Sequence, residues 1–312
     1  MVPSAVPAAL LDVLDILRCP TCGGRLDLRD RSLHCRNRHT FDIARAGYAS
    51  MLGGSGATSG DDDEMARARD RFLRSGAYAP LSAAIGALAS EVVPRLNGSD
   101  VPAPSPTAGS DRAAPTVLDM GCGPGYYLAG LLDRFRGARG LGIDTSARSL
   151  RFAARAHERA AACSGDVFAP FPLADDSVDL LLDVFAPRHP AEFARVLRPS
   201  GALVVARPAA DHLAELRAAI PGMVAMDPRK EERLHEALEP HVEQLDQRTV
   251  RSELSLDIAR ARDLVSMTPS ARHVAGEDLD RLLAGPTLRP GGPEHETVTV
   301  TLSVLLSAHR PR

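Results

Sequence analysis

Short, almost unbroken apolar runs recur through the middle of this chain, at 116–120, 140–143, 160–164 and 180–185. Runs of that kind mark strands buried on both faces, because a strand with one wet face alternates. Between them apolar residues fall three and four apart, which predicts helices over 125–136 and 146–157 and a third from Glu192 to Leu197. Strand and helix in alternation predict a doubly wound parallel sheet. Further on, Pro199-Ser200-Gly201 breaks the pattern before another strand at Ala202 to Val205. Asp211 is placed to cap a helix through Leu216, 249–256 alternates as a strand, and 258–267 is helical. The β-branched run 297–307 predicts a long strand that closes the sheet. Ahead of the first strand, Gly76-Ala77-Tyr78-Ala79-Pro80-Leu81 opens a helix to about Leu96. The segment 97–115 is rich in Pro, Ser, Ala and Gly without period and is expected to be disordered. Residues 221–240 are charged and helical at most.

The N-terminal pattern is different. Leu26 and Leu28, a turn at Arg29-Asp30-Arg31, and Leu33 predict a small hairpin. Its ends carry Cys19-Pro20-Thr21-Cys22-Gly23-Gly24 and, twelve residues later, Cys35 followed by His39. Two thiolates two residues apart grip one tetrahedral ion, and the glycines allow the tight turn, so the hairpin reads as a zinc ribbon. His34 is the alternative fourth ligand. It is adjacent to Cys35, so the two side chains would point to opposite faces of a strand, and His39 is preferred. Four protein ligands leave no open position, which makes the metal structural: Cys19, Cys22, Cys35 and His39.

Glycine at every second position follows the first apolar strand, in Asp119-Met120-Gly121-Cys122-Gly123-Pro124-Gly125, and a helix opens at about Tyr126. Glycine lets backbone pass close to a ligand where a side chain would clash. A second acid, Asp144, closes the next strand, where a carboxylate can accept both hydroxyls of a ribose. Asp166, after the third strand, is placed either to accept from an adenine amino group or to serve a turn. The D-x-G-x-G-x-G form with Asp144 resembles the S-adenosylmethionine site of class I methyltransferases, and the expected architecture is a Rossmann-like, seven-stranded α/β domain with a small N-terminal zinc ribbon.

Composition narrows the picture. With 312 residues the chain holds one large domain and a small one, and 44% hydrophobic content without tryptophan implies an aliphatic core. No apolar run approaches a membrane span, and Asp12 and Asp15 interrupt the N-terminal apolar run, so neither a membrane nor a signal peptide is expected and the expected place is the cytoplasm. A formal net charge of -3 argues against a uniformly basic nucleic-acid binder. Locally, seven arginines against three acids between Arg18 and Arg45 give +4 on the ribbon. A second arginine run, Arg67, Arg69, Arg71 and Arg74, lies on a helix over 64–74 after the Gly/Ser-rich and mobile stretch 53–63. That run is either a solvated face or a phosphate-contacting one.

The ribbon, His39-Thr40-Phe41-Asp42, Gly47-Tyr48, Gly76 with Tyr78 and Pro80-Leu81, the glycine turn, Phe185-Ala186-Pro187-Arg188, His212-Leu213 with Glu215-Leu216, and Met267-Thr268-Pro269 occur in one order along nearly the whole chain. In that order they resemble the RlmA-type 23S rRNA (guanine-N(1)-)-methyltransferases, closest to the tylosin-resistance branch. The resemblance implies methylation of a loop guanine of 23S rRNA at the macrolide-binding exit tunnel, and a homodimer with ribbons flanking an RNA cleft. It carries over Tyr78, Gly123, Pro124 and His212 as cofactor contacts, beside Asp119, Gly121, Gly125, Asp144 and Asp166. The chain departs from the family in its proline-rich insertion before Thr116 and in its Gly/Ser stretch. The expected division is a ribbon for RNA recognition over 1–52, a linker with the arginine helix over 53–75, and a methyltransferase domain over 76–312. Asp183, near the end of the fourth strand, is the best-placed acid for a base, or else a turn acceptor, and Arg188 could steady an oxygen or a phosphate. The rival readings are a small-molecule methyltransferase and a non-enzymatic zinc-ribbon regulator.

Overall fold

The structure, a computed structural model, describes residues 6–52, 60–97, 114–221, 223, 233, 236–268, 276–285, 288 and 297–312. Most of the insertion at 97–115, the stretch 53–59 and most of 221–240 lie outside the described residues. Two sheets carry the fold. The small one contains β1 (Leu26–Arg29), β2 (Ser32–Cys35) and β3 (Thr40–Asp42), all antiparallel in that order. The large one contains β4 (Thr116–Met120), β5 (Arg139–Asp144), β6 (Ala160–Ser164), β7 (Val178–Val184), β8 (Leu197–Pro208), β9 (Val242–Asp257) and β10 (Thr297–Pro311), in the order β6-β5-β4-β7-β8-β10-β9.

From β6 to β8 the strands are parallel and the apolar runs are buried throughout. The chain winds outward from β4 to β5 and β6, then returns to the other side of β4 with β7. The switch point, where ligands bind in open α/β sheets, therefore lies at the carboxyl ends of β4 and β7. The proline–glycine break survives as an irregularity inside β8: Val178 pairs with Leu197, but Leu180 pairs with Ala202. Two expectations need correction. The C-terminal strand does not close the sheet. It inserts antiparallel between β8 and β9, and β9 is the edge. Asp211 does not cap the following helix (Ala214–Ala219), whose N-cap is Leu213, held in the left-handed region at φ 55. The Asp211 carboxylate instead accepts from Arg251 Nε on β9 at 3.1 Å.

The large sheet is covered on both faces. Val117, Leu180, Leu182 and Val204 pack with helix Ala79–Val92, helix Tyr126–Arg134 and helix Ile258–Ser266. Leu118, Met120, Leu141, Ile143, Leu181 and Val205 point the other way. They share one core with the ribbon's Leu26, Leu33, Phe41 and Ile43. Strand alternation thus divides one sheet between two coverings, the second made by helix Ala8–Asp12, helix Pro190–Val196 and the ribbon's core residues together. No described helix is long and apolar enough to cross a membrane.

Candidate active site and metal centre

The ribbon's two knuckles bring Cys19, Cys22, Cys35 and His39 together, with ligand atoms all within 4.8 Å of one another. In the first knuckle Gly23 N–H donates to Cys19 O at 2.8 Å, with Gly23 at φ 68. In the second, Arg38 N–H donates to Cys35 O at 3.0 Å. Cys19 Sγ and Cys35 Sγ each lie 3.4 Å from His39 Nδ1, and Cys22 Sγ lies 3.7 Å from Cys35 Sγ. Zinc–sulfur bonds of about 2.3 Å and zinc–nitrogen bonds of about 2.0 Å in a tetrahedron set sulfurs about 3.8 Å apart and sulfur from nitrogen about 3.5 Å. The donor set fits zinc. His34 faces away, its Nδ1 3.2 Å from Thr40 Oγ1. The Gly24 amide pulls the exposed Cys22 thiol down to about 6, toward the thiolate a metal requires.

At the switch point the glycine turn is held by Ile143 O, which accepts from Gly121 N at 2.8 Å and Cys122 N at 3.1 Å. Gly121, Gly123 and Gly125 have φ of 75, 53 and 83, a region that side chains rarely adopt. Asp144 secures the turn rather than standing apart from it. Its Oδ2 accepts from Gly123 N at 2.8 Å and its Oδ1 from Ser146 N at 2.7 Å, and each oxygen keeps a second lone pair. Asp119 is 1% exposed, and burial with Asp144 and Asp183 close by pushes it up to about 8. Its Oδ2 has no hydrogen-bond partner among the described residues, and neither has the buried Tyr127 hydroxyl. Orphaned polar atoms beside a glycine cradle suit a polar ligand laid over the turn.

The remaining cofactor candidates surround that turn. Pro124 is buried within it. Tyr78 is buried edge-on to Phe72, with ring centres 5.0 Å apart. His212 stacks on Phe185 at 5.8 Å and meets Tyr78 edge-on at 6.5 Å. Its Nδ1 accepts from Ser303 N at 3.3 Å, and burial and Arg217 push it down to about 4, so the ring is neutral at pH 7. Asp166 is half-buried and takes the Phe168 amide at 2.9 Å in a turn. Asp183 is fully buried, with Oδ1 3.2 Å from Arg188 Nη2.

On the arginine helix (Asp63–Arg74), Arg67, Arg71 and Arg74 form a solvated, paired face, and Arg69 departs from it. Arg67 pairs with Asp63, Arg69 with Asp61, Arg71 with Glu64 and Asp263, and Arg74 with Asp70. By contrast, Arg25, Arg29, Arg36, Arg38 and Arg45 on the ribbon are exposed, and the described residues give them no ion pair. Two residues at the site escaped sequence reasoning. Phe185 is held at φ 56 with 36% of its surface exposed, and a bulky side chain at positive φ reports a constraint. Arg69 lies against Gly123. Its signal was its position four after Met65 and three before Phe72, on the apolar stripe of the helix.

A glycine turn at this switch point, on a seven-stranded sheet whose last strand runs antiparallel inside the edge, with a Cys3His ribbon packed beneath, defines a zinc-ribbon methyltransferase that uses S-adenosylmethionine. Two family models match, one described as RlmA, N-terminal over residues 17–53 and one as a methyltransferase domain over 117–201. A putative 23S rRNA (guanine-N(1)-)-methyltransferase of Micromonospora griseorubida is 42% identical over 96% of this chain and 99% of its own. The 23S rRNA (guanine(748)-N(1))-methyltransferase of Streptomyces fradiae is 40% identical over 96% and 98%. A putative 23S rRNA (guanine-N(1)-)-methyltransferase of Bacillus subtilis is 35% identical over 65% and 67%. The chain belongs to the 23S rRNA (guanine-N(1)-)-methyltransferase family.

Proposed function

We propose that this enzyme transfers a methyl group from S-adenosylmethionine to N(1) of a loop guanine of 23S rRNA at the macrolide-binding exit tunnel, conferring resistance to tylosin-class macrolides. The observation that carries the reading is the match, ribbon included, over nearly the full length of relatives named for this reaction. A ribosomal substrate puts the work in the cytoplasm. The two ribbons of a homodimer would flank the RNA, with 1–52 as the recognition module, 53–75 as the connection and 76–312 as the catalytic unit. Sedimentation at the mass of one chain would remove the dimer.

When bound, S-adenosylmethionine supplies a methyl on a positively charged sulfur. Asp144, Asp166, Tyr78, His212 and the glycine turn hold and orient it, and proximity does most of the work. Guanine N(1) carries a proton and is a poor nucleophile until that proton leaves. Asp183, at the end of β7 beside the turn, takes it. Arg188, whose buried Nε has no partner among the described residues, steadies the charge that develops on the guanine O6. The target base must leave its stack to reach this depth.

Labelled methyl transfer to unmodified 23S rRNA, read by reverse-transcriptase stops, tests the reading. N(1) methylation blocks Watson–Crick pairing, so one strong stop is expected, and guanine 748, named for the Streptomyces fradiae relative, is the first position to inspect. Cofactor binding without label in RNA would turn the assignment to a small-molecule substrate. The unpaired ribbon arginines support rRNA contact through that surface. Replacing Arg36 and Arg38 together with glutamate is expected to weaken rRNA binding at least tenfold, and to flatten its salt dependence by about one unit per lost phosphate contact. Cofactor affinity should not move. Unchanged rRNA affinity would take recognition away from the ribbon.

A further inference from the structure

Arg69 is built into the site more firmly than a surface arginine requires. Its Nε and Nη2 donate to Asp61 at 2.7 and 3.0 Å, and Nη2 also donates to Met267 O at 2.6 Å. These bonds tie the arginine helix and the residues just before it to the end of helix Ile258–Ser266, 198 residues further along the chain. The incoming chain is anchored as well, because Ser146 Oγ donates to Asp61 O at 2.7 Å, just after the Asp144 turn. The side chain is three-quarters buried, and its Cδ would stand 3.1 Å from a Cβ built on Gly123. Asp144, Tyr127 and Tyr78 all feel its charge. Its Nη1 donors take no part in these bonds.

S-adenosylmethionine has two chemically distinct ends. The ribose and adenine belong to Asp144 and Asp166 in the reading above. The other end is an amino acid, with a carboxylate that needs a cation. It must lie over the glycine turn, where Asp119 offers an acceptor for the ammonium group, and the cation beside that turn is Arg69. We propose that Arg69, through Nη1, is the receptor for the cofactor's carboxylate, with Asp61 and the Met267 carbonyl as the groups that aim it. A planar guanidinium held on one edge and open on the other can bridge two carboxylates, one internal and one from the ligand. The three other arginines of the helix are exposed by half or more and paired at the surface, so the role is particular to Arg69.

This inference rests on the site being an S-adenosylmethionine site, and calorimetric titration separates the two claims. S-adenosylmethionine and decarboxylated S-adenosylmethionine differ at the carboxylate alone. The wild-type protein without RNA is expected to bind the first about 10–100-fold more tightly, the range of a hydrogen bond between charged groups. Arg69→Gln is expected to lose that preference, weakening S-adenosylmethionine by the same factor and leaving the decarboxylated form within about threefold. Arg69→Lys keeps the charge without the fork and should recover part of the preference. It also carries the test if the glutamine variant fails to fold. Equal weakening of both ligands, or a preference retained in either variant at the wild-type level, would overturn the role of Arg69. A wild-type protein that binds neither ligand would overturn the cofactor reading itself.

Discussion

Replacing Cys35 with serine is expected to abolish zinc retention and to lower the unfolding midpoint of the entire protein, not of the ribbon alone. A structural zinc contributes about 10 kcal/mol or more of apparent binding energy to a small ribbon, and losing one of its four ligands removes much of it. A whole domain is stable by only about 5–15 kcal/mol. The ribbon cannot dissipate the loss locally. Leu33 and Phe41, on the strands that present the ligands, share a core with Leu118, Met120, Leu141 and Ile143 of β4 and β5. Uncovering that face exposes the layer beneath the glycine turn, so cofactor binding should fail with zinc binding. Calorimetry with metal analysis checks this, with His34→Ala as the control, because His34 stands outside the ligand cluster with its ring beside the Thr40 hydroxyl. A zinc-free variant whose main transition stays at the wild-type temperature would mean that the two sheets fold independently.

Asp183→Asn has the second largest expected effect. The change keeps shape and removes the charge that faces Arg188 at 3.2 Å. If Asp183 takes the N(1) proton, kcat should fall by about 10²–10⁴-fold, the usual contribution of a general base. S-adenosylhomocysteine affinity should stay within about threefold of wild type, because the residues proposed to hold the cofactor lie on other elements: β4 and its glycine turn, β5, Asp166 after β6, Tyr78, and the loop before Ala214–Ala219. Stability shifts in two directions. Arg188 loses its counter-ion, a cost of roughly 3–5 kcal/mol for a broken buried pair. Asp119 loses one of the two charges that repel it. The kinetic loss should therefore exceed anything the thermal midpoint explains. A kcat reduced less than about tenfold would leave Asp183 as an anchor for Arg188 and move the search for the base elsewhere.

These two experiments fall on opposite sides of what was readable. The zinc ligands were legible to the residue, including His39 over His34, because a knuckle is a local device. Its ligand spacing, glycines and strand parity all sit within a few residues of one another. The glycine turn and the four apolar strands were legible for the same reason. The arginine run was not. Four arginines spaced two or three apart look alike in sequence, yet Arg69 is buried against Gly123 while Arg67 and Arg74 lie at the surface. What distinguishes Arg69 from Arg67 and Arg74 is an acceptor 198 residues away in the chain, the Met267 carbonyl, and from Arg71, which also reaches a distant partner, its depth beside the glycine turn. Asp144 shows a milder version of the same limit. Its place at the end of β5 was evident, but its grip on the Gly123 amide depends on how two strands stand side by side.

By itself, then, the sequence determined the pieces that close over short distances: a Cys3His ribbon, a glycine turn between strand and helix, an α/β rhythm, and the family resemblance those pieces carry in order. Tertiary structure decided the insertion of β10 between β8 and β9, the shared core beneath the ribbon, the pairing of Asp183 with Arg188, and the choice of one arginine among four. The reason is physical. Hydrophobic periodicity tells each element which of its own faces is buried, but not which neighbour will cover it. Burial and ion pairing are properties of that neighbour.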